Sequence, residues 1–347
     1  MTRLPLVTII MPVRNEAAYI QRSLGAVLAQ TYPADHLEVM VVDGMSNDGT
    51  RPLVKAMARE SSIHVELLDN PDLIVPPAFN RGLARAAGEM IIRVDGHCEI
   101  APDYVECCIA ALHETGADCV GGAMVTVGET AVAGTIATAQ SSSFGVGGAT
   151  FRVGSETGRY VDTIAFGAYR RDVFDRIGGY DEELVRNQDD EFNFRLIQSG
   201  GKIWLDPSIH SVYYSRASFR KLWRQYYQYG FYKVRVIQKR GGVPSLRHLV
   251  PALFVLGLIV TLLAALLAGR RRLALLIPLP YMVAAFTASV SAARGRWWML
   301  PLLPIAYLTL HLAYGVGFLH GVWHWREGFH KSALSSPSEV RRDSYER

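Results

Sequence analysis

Nothing in this sequence would cradle a phosphate with backbone alone. Neither GxGxxG nor GxxxxGK[ST] follows any of its apolar runs, which disfavours a dinucleotide fold and a P-loop. Cysteine is scarce. Cys98, Cys107, Cys108 and Cys119 fall in one region, form no CxxC pair and lack the spacing of a zinc site. They read as reduced packing thiols, not as a disulfide framework. An excess of one charge is missing too. The 36 Lys and Arg against 32 Asp and Glu leave a formal net charge of +4, which excludes a strong nucleic-acid footprint. No basic-then-apolar leader opens the chain. Residues 4–13 are a short apolar run entering a polar turn, so the first domain is expected to stay in the cytoplasm.

What is present is an uneven distribution of apolar residues. Up to about Gly242 the pattern is that of an α/β protein, and from 249 to 323 it is nearly all apolar. Residues 6–11 are a β-branched run stopped at Pro12, and 17–29 place Ile20, Leu24, Val27 and Leu28 on one helical face. A strand over 36–42 ends at Asp43, a helix follows over 51–59, and a strand over 65–68 ends at Asp69-Asn70-Pro71. A helix over 77–87 leads to a strand over 90–97. This β-α-β-α-β-α-β order predicts a parallel sheet with right-handed crossovers.

Ligands of such sheets sit beyond the carboxyl ends of the strands. The sequence places Arg14, Asn15 and Glu16 there, then Asp43, then Asp69 and Asn70, then Asp95 and His97. Asp69 and Asn70 read as turn residues before Pro71. Asp43, Ser46 or Asp48 would serve equally as a helix cap, and Glu16 as an answer to a helix dipole. Asp95 and His97 stand two residues apart. If strand pairing runs through them they face one way and can share Mg2+ or Mn2+; the alternative is a plain Asp-Gly surface turn.

Pro12-Val13-Arg14-Asn15-Glu16, Val41-Val42-Asp43-Gly44-Met45-Ser46-Asn47-Asp48-Gly49-Thr50, Asn80-Arg81-Gly82 and Arg93-Val94-Asp95-Gly96-His97 come in that order. The set resembles the motifs of family 2 glycosyltransferases with the GT-A fold, and within them the bacterial exopolysaccharide enzymes of the succinoglycan type. The resemblance covers about residues 6–233 and, more loosely, the apolar tail. It implies a Rossmann-like, mostly parallel sheet and a nucleotide-sugar donor held by Pro12, Arg14, Glu16, Asp43, Asn80, Arg93 and Asp95. Asp95 stands at the first acidic position of the family's DxD metal motif, and His97 replaces the second Asp. Arg93 is expected to neutralise phosphate.

Past residue 100 the expectations are a helix over 102–113, a strand over 119–127, and a Gly-, Ala-, Ser- and Thr-rich stretch over 131–154 that is a closing loop or a flexible linker. A strand over 161–166 precedes Arg170 and Arg171, read as cations for a diphosphate or as solvated helix-start charges. Asp189, Asp190 and Glu191 open a helix, where carboxylates are stabilised by the dipole. In the resemblance this is the acidic motif that supplies the catalytic base. Matching on Arg195-Leu196 puts Asp189 at the base position and Gln188 on the acceptor or diphosphate side. Residues 202–207 read as a short edge strand, and His210 as a structural or metal-binding histidine. Residues 218–239 are basic and aromatic, an interfacial helix or one packed on the catalytic domain. Gln225 within it resembles an acceptor-side QxxRW motif without its Arg-Trp.

The expected organisation is a cytosolic GT-A catalytic domain over 1–215, amphipathic interfacial helices over 216–245, a transmembrane region of about three segments over 246–325, and a polar, disordered tail over 326–347. The expected activity is that of an inverting enzyme anchored as a multi-pass protein in the cell membrane. It would move a hexose from a UDP-sugar to a polyprenyl-diphosphate-linked saccharide for exopolysaccharide or another surface glycan. Its partners would be the donor, the polyprenyl-linked acceptor and membrane lipid, with no nucleic acid and with room for a homo-oligomer. The alternatives are a polyprenyl-phosphate sugar synthase that uses the bare lipid phosphate, and a catalytically silent membrane scaffold.

Overall fold

The computed structural model describes residues 3–215, 218–243 and 245–326. In chain order its elements are β1 (Val7–Val13), α1 (Ile20–Leu28), β2 (Leu37–Asp43), α2 (Thr50–Glu60), β3 (His64–Asp69), α3 (Val75–Arg85), β4 (Met90–Arg93), β5 (Cys98–Ile100), α4 (Tyr104–Thr115) and β6 (Cys119–Val127). Three helices follow, α5 (Ala131–Gln140), α6 (Ser143–Val146) and α7 (Thr150–Val153), then β7 (Arg159–Tyr160), β8 (Ala168–Arg170), α8 (Arg171–Ile177), α9 (Gln188–Gln198) and β9 (Ile203–Tyr214). The long helices α10 (Phe219–Arg240), α11 (Val250–Leu267), α12 (Pro278–Ala293) and α13 (Leu303–His324) complete the described chain. Two compact units result. The first holds the chain up to Glu129 and Gly148–Ser215; the second holds Thr130–Gly147 and the chain after Ser215.

In the first unit one sheet runs β3-β2-β1-β4-β8-β6-β9-β5, with β7 beside β9. The strands β3, β2, β1 and β4 are parallel, as their alternation with helices requires. Every residue of β1 is buried, as is usual for a strand covered on both faces. Pro12 is tolerated inside it because β4 has already ended opposite Ile10, so its missing N–H costs no ladder bond. The four cysteines are free and, as expected, serve packing; burial pushes the Cys98, Cys108 and Cys119 thiols up.

Three strand readings are corrected. The run 90–97 is not one strand: β4 stops at Arg93, and Cys98 begins a separate strand paired with β9. No strand covers 161–166; Phe166 takes a left-handed φ of 53°, and the strand that inserts between β4 and β6 is Ala168–Arg170. The strand at 202–207 is neither short nor at an edge. β9 has 12 residues and lies between β6 and β5. Pro207 marks an irregularity in it, where the register with β6 jumps from Gly121–Leu205 to Ala123–His210.

In the second unit the stretch after residue 130 is a helix, not a loop or linker. Alanine favours helix, and the Thr130 hydroxyl accepts from the Ala133 N–H to cap it. Its small residues let Ile136 and Ala139 pack among Leu222, Leu303, Ala306 and Leu310. The amphipathic α10 lies against α13. Glycines make the approach close: a Cβ on Gly230 would lie 2.0 Å from the Tyr314 carbonyl oxygen, and one on Gly317 2.1 Å from that of Tyr227. Gly230→Ala should gain about 1 kcal/mol of helix propensity but lose about 1–3 kcal/mol to overpacking. A lower thermal midpoint of the detergent-solubilised protein is therefore expected; a rise would show that α10 and α13 are not in contact. Three helical stretches, Leu246–Leu267, Arg271–Ala293 and Leu303–His324, are long and apolar enough to cross a membrane. The tail from residue 327, expected to be disordered, lies outside the described residues.

Candidate active site

The loops after β1 and β2 are built as one piece. The Gly44 N–H donates to the Val13 carbonyl at 2.8 Å and the Asn15 N–H to Ser46 Oγ at 2.8 Å. The Asn47 N–H donates to Asn15 Oδ1 at 3.0 Å, and the Glu16 N–H to Thr50 Oγ1 at 2.9 Å. Asp48 Oδ2 takes the Ala17 N–H. Burial alone would raise the Asp48 carboxyl, but the Thr50 hydroxyl and the amides of Ala17 and Thr50 outweigh it and hold it below the usual range. Asn15 and Met45 both adopt a φ of 55° to make these turns. Arg14 stands exposed on this rim, while Pro12 is buried within the strand.

At the carboxyl end of β2, Asp43 is fully buried. Its Oδ2 accepts from the Ser46 N–H at 2.9 Å and from Arg51 at 2.8 Å, and Arg51 reaches on to Asp69 at 2.7 Å. Its other oxygen, Oδ1, is buried and has no partner among the described residues. Asn70 is in the same condition. Its N–H donates to the Asp43 carbonyl and its Nδ2 to the Ile74 carbonyl, yet its Oδ1 is buried and unpartnered among the described residues. Two such acceptors at adjacent strand ends call for donors from a ligand or water. Asn70 read as a turn residue in the sequence; only its burial distinguishes it.

The next strand end brings distant parts of the chain together. Arg93 closes β4 and is almost wholly buried. Its Nε and Nη2 both meet Asp95 Oδ1 at 2.9 Å, its Nη1 lies 3.9 Å from Asp189 Oδ2, and its guanidinium sits 5.7 Å from the Tyr180 ring centre. Burial alone would lower its pKa, but the charges of Asp95 and Asp189 and the Tyr180 oxygen reverse that and raise it, so the cation is permanent. Tyr180 itself is pushed up to about 12, mainly by burial, and stays a phenol. Tyr180 was not singled out in the sequence. It is set by Asn80, whose Oδ1 accepts the Tyr180 N–H at 2.8 Å and whose Nδ2 donates to the Tyr180 carbonyl and to Glu182. Both N–H donors of the Asn80 amide are thus engaged within the protein.

The acidic cluster sorts itself by burial. Glu191 is fully buried and takes Arg195 on both oxygens at 3.1 Å, while Arg195 also donates to the Ile177 and Gly179 carbonyls. That carboxylate is a structural anchor. Asp189, on the first turn of α9, keeps 36% of its side chain exposed and takes only the Asp190 N–H on Oδ1. Beside it, Gln188 is buried with its Oε1 unpartnered among the described residues.

β4 ends at Arg93, so strand pairing does not hold Asp95 and His97 on one face. Instead His97 Nδ1 meets Glu16 Oε1 at 2.9 Å. Among the described residues no three His, Cys, Asp or Glu side chains gather as a metal cluster. By donor type alone, a carboxylate and an imidazole suit a divalent cation that takes its remaining ligands from a diphosphate and water, the usual habit of Mg2+. A carboxylate on the far nitrogen of an imidazole is also the common support of a metal-binding histidine.

The reading of Arg170 and Arg171 as diphosphate cations is corrected by position. Arg170 is paired with Met90 at the opposite end of β4 from Arg93, about 10 Å along the strand. It donates to the Ala117 and Leu112 carbonyls, and Arg171 to those of Ala86 and Gly88; both tie off helix ends and neither is at the rim. His210 is exposed on β9. Gln225 belongs to the second unit, where its Nε2 donates to the Tyr229 hydroxyl at 2.9 Å.

Comparison with known proteins agrees with this architecture. Residues 8–178 match the model of glycosyl transferase family 2. Succinoglycan biosynthesis protein ExoA of Rhizobium meliloti is 32% identical over 328 residues, covering 92% of this chain and 94% of the relative. A Methanococcus voltae enzyme described as a dolichyl N-acetyl-alpha-D-glucosaminyl phosphate 3-beta-D-2,3-diacetamido-2,3-dideoxy-beta-D-glucuronosyltransferase is 27% identical over 91% of this chain and 97% of its own. Among solved structures, the mannosyltransferase PcManGT of Pyrobaculum calidifontis, in complex with GDP-Man and Mn2+, superposes with a TM-score of 0.61 at 19% identity over 93% of this chain and 88% of that one. The strand ends that carry Asp43, Arg93, Asp95 and His97 all lie inside the matched region, and the chain belongs to the family 2 glycosyltransferases, with the GT-A fold.

Proposed function

We propose that this glycosyltransferase moves a hexose, with inversion, from a UDP-sugar to a polyprenyl-diphosphate-linked saccharide at the cytoplasmic face of the cell membrane, in the synthesis of exopolysaccharide or another surface glycan. One observation carries the reading: a single buried guanidinium, that of Arg93, stands between Asp95 at a strand end and Asp189 at a helix start. A donor-side carboxylate and a solvent-accessible base therefore share one rim. The unpartnered oxygens of Asp43 and Asn70 suit the N–H of a nucleobase and a ribose hydroxyl. Asp189 is the candidate that takes the proton of the acceptor hydroxyl as it attacks the anomeric carbon. Asp95 and His97 would hold the Mg2+ or Mn2+, whose charge offsets that of the departing diphosphate. Three helices able to cross a membrane suit a lipid-linked acceptor. The names of the two relatives point the same way, one to succinoglycan synthesis and one to transfer onto a dolichyl-phosphate-linked sugar.

The test is transfer by the purified full-length protein in detergent, with labelled UDP-sugars and polyprenyl-diphosphate saccharides, and with the product anomer read by NMR. Label on the lipid-linked saccharide with inverted configuration is expected. Transfer to bare polyprenyl phosphate, or no transfer with any donor, would overturn the reading. Rigorous chelation with EDTA is expected to abolish turnover, and added Mn2+ to restore it. Full activity after chelation would remove Asp95 and His97 from the metal role.

A further inference from the structure

We propose that Glu16 is the positioning residue for His97, fixing the imidazole so that Nε2 alone is presented toward the diphosphate and its cation. The inference rests on the donor-site reading above and assigns Glu16 away from the nucleotide itself. A carboxylate carries no proton, so at the 2.9 Å contact it is His97 Nδ1 that donates and Glu16 Oε1 that accepts. That choice of tautomer leaves Nε2 with its lone pair free for a metal ion.

The surroundings hold both partners still. The side chains of Glu16 and His97 are only 19% and 15% exposed. The Glu16 backbone is anchored by its N–H on Thr50 Oγ1, within the interlocked loops of β1 and β2. The His97 ring lies edge-on to Tyr213, with centroids 5.1 Å apart. Between them stands Gly96. A Cβ there would lie 2.9 Å from Glu16 Cγ and 3.1 Å from Val13 Cγ1, so the glycine is what lets Glu16 come this close. The Gly96 carbonyl is itself pinned by the buried Ser23 hydroxyl at 2.8 Å. A motif with His in place of a second Asp thus comes with a carboxylate from a strand end 81 residues away that a second Asp would repel.

The test reads binding rather than turnover: titration of Mn2+ into the full-length protein with saturating UDP, followed by electron paramagnetic resonance. Circular dichroism checks the fold of each variant. Glu16→Ala is expected to weaken Mn2+ binding about 10–100-fold, as loss of such a support does elsewhere. Glu16→Gln, which keeps an acceptor oxygen, should recover much of it, and Gly96→Ala should resemble Glu16→Ala. In a His97→Ala background the Glu16→Ala change should matter less than about twofold, because coupled residues do not add. His97→Asp should bind poorly alone and better with Glu16→Gln. An equal loss from Glu16→Ala with and without His97 would overturn the assignment while leaving the donor site intact. Absence of Mn2+ binding by the unaltered protein with UDP would overturn both.

Discussion

Asp189→Asn is expected to lower kcat by about 10²–10⁴-fold, the usual contribution of a positioned general base, while UDP-sugar binding persists. Three adjacent carboxylates open α9, and their surroundings differ. Glu191 is fully buried and ion-paired on both oxygens with Arg195, so its loss should unfold the helix start before it touches chemistry. Asp189 alone combines partial exposure with a place beside Arg93. The amide of the variant keeps the shape and the Oδ1 acceptor for the Asp190 N–H but has no basicity. Calorimetric titration with the donor should therefore give a Kd near that of the parent protein, and single-turnover transfer should collapse. Unchanged turnover would move the base elsewhere. An equal loss in Asp190→Asn would show that the charge of the cluster, not one residue, is at work.

Much of the sheet was legible because its signals are local. The runs that became β1, β2, β3 and β4 are apolar, three of them rich in β-branched residues, and each stops at or beside a proline, a carboxylate or an arginine. The remainder needed tertiary knowledge. Arg170 and Arg171 look like phosphate cations until β8 is seen to run antiparallel to β4, which carries them to the far edge. β9 was cut short because Pro207 reads as a stop, whereas the ladder absorbs it by a register jump. The small-residue stretch after 130 lacks any periodic apolar face, so it read as linker; its helix is specified by neighbours that small side chains allow close. At the site, the spacing of Asp95 and His97 was visible, but not that their partners would be Arg93 and Glu16. Asn70 was visible at a strand end but read as a turn, and Tyr180 carried no sequence signal, since burial is a property of the fold.

Arg93→Met should cause a large loss of stability. The parent guanidinium is permanently charged and only 7% exposed, and it neutralises a carboxylate that is itself 19% exposed. Removing one partner of a buried pair costs about 3–5 kcal/mol; the residual exposure of Asp95 places this case nearer about 2–3 kcal/mol. For a unit of this size each kcal/mol moves the midpoint by about 2–4 °C, so a fall of roughly 4–12 °C is expected in thermal unfolding. Arg93→Lys separates charge from shape. An ammonium can neutralise Asp95, but it cannot place two N–H groups on Asp95 while a third faces Asp189 and the cation lies beside the Tyr180 ring. The lysine variant should regain most of the lost stability and little of the lost transfer. The donor Kd decides between two uses of the guanidinium. If it neutralised phosphate directly, as the sequence suggested, Arg93→Met would weaken donor binding far more than Arg93→Lys. With Nε and Nη2 committed to Asp95, both variants should instead bind UDP-sugar within a few-fold of each other and fail together at the transfer step.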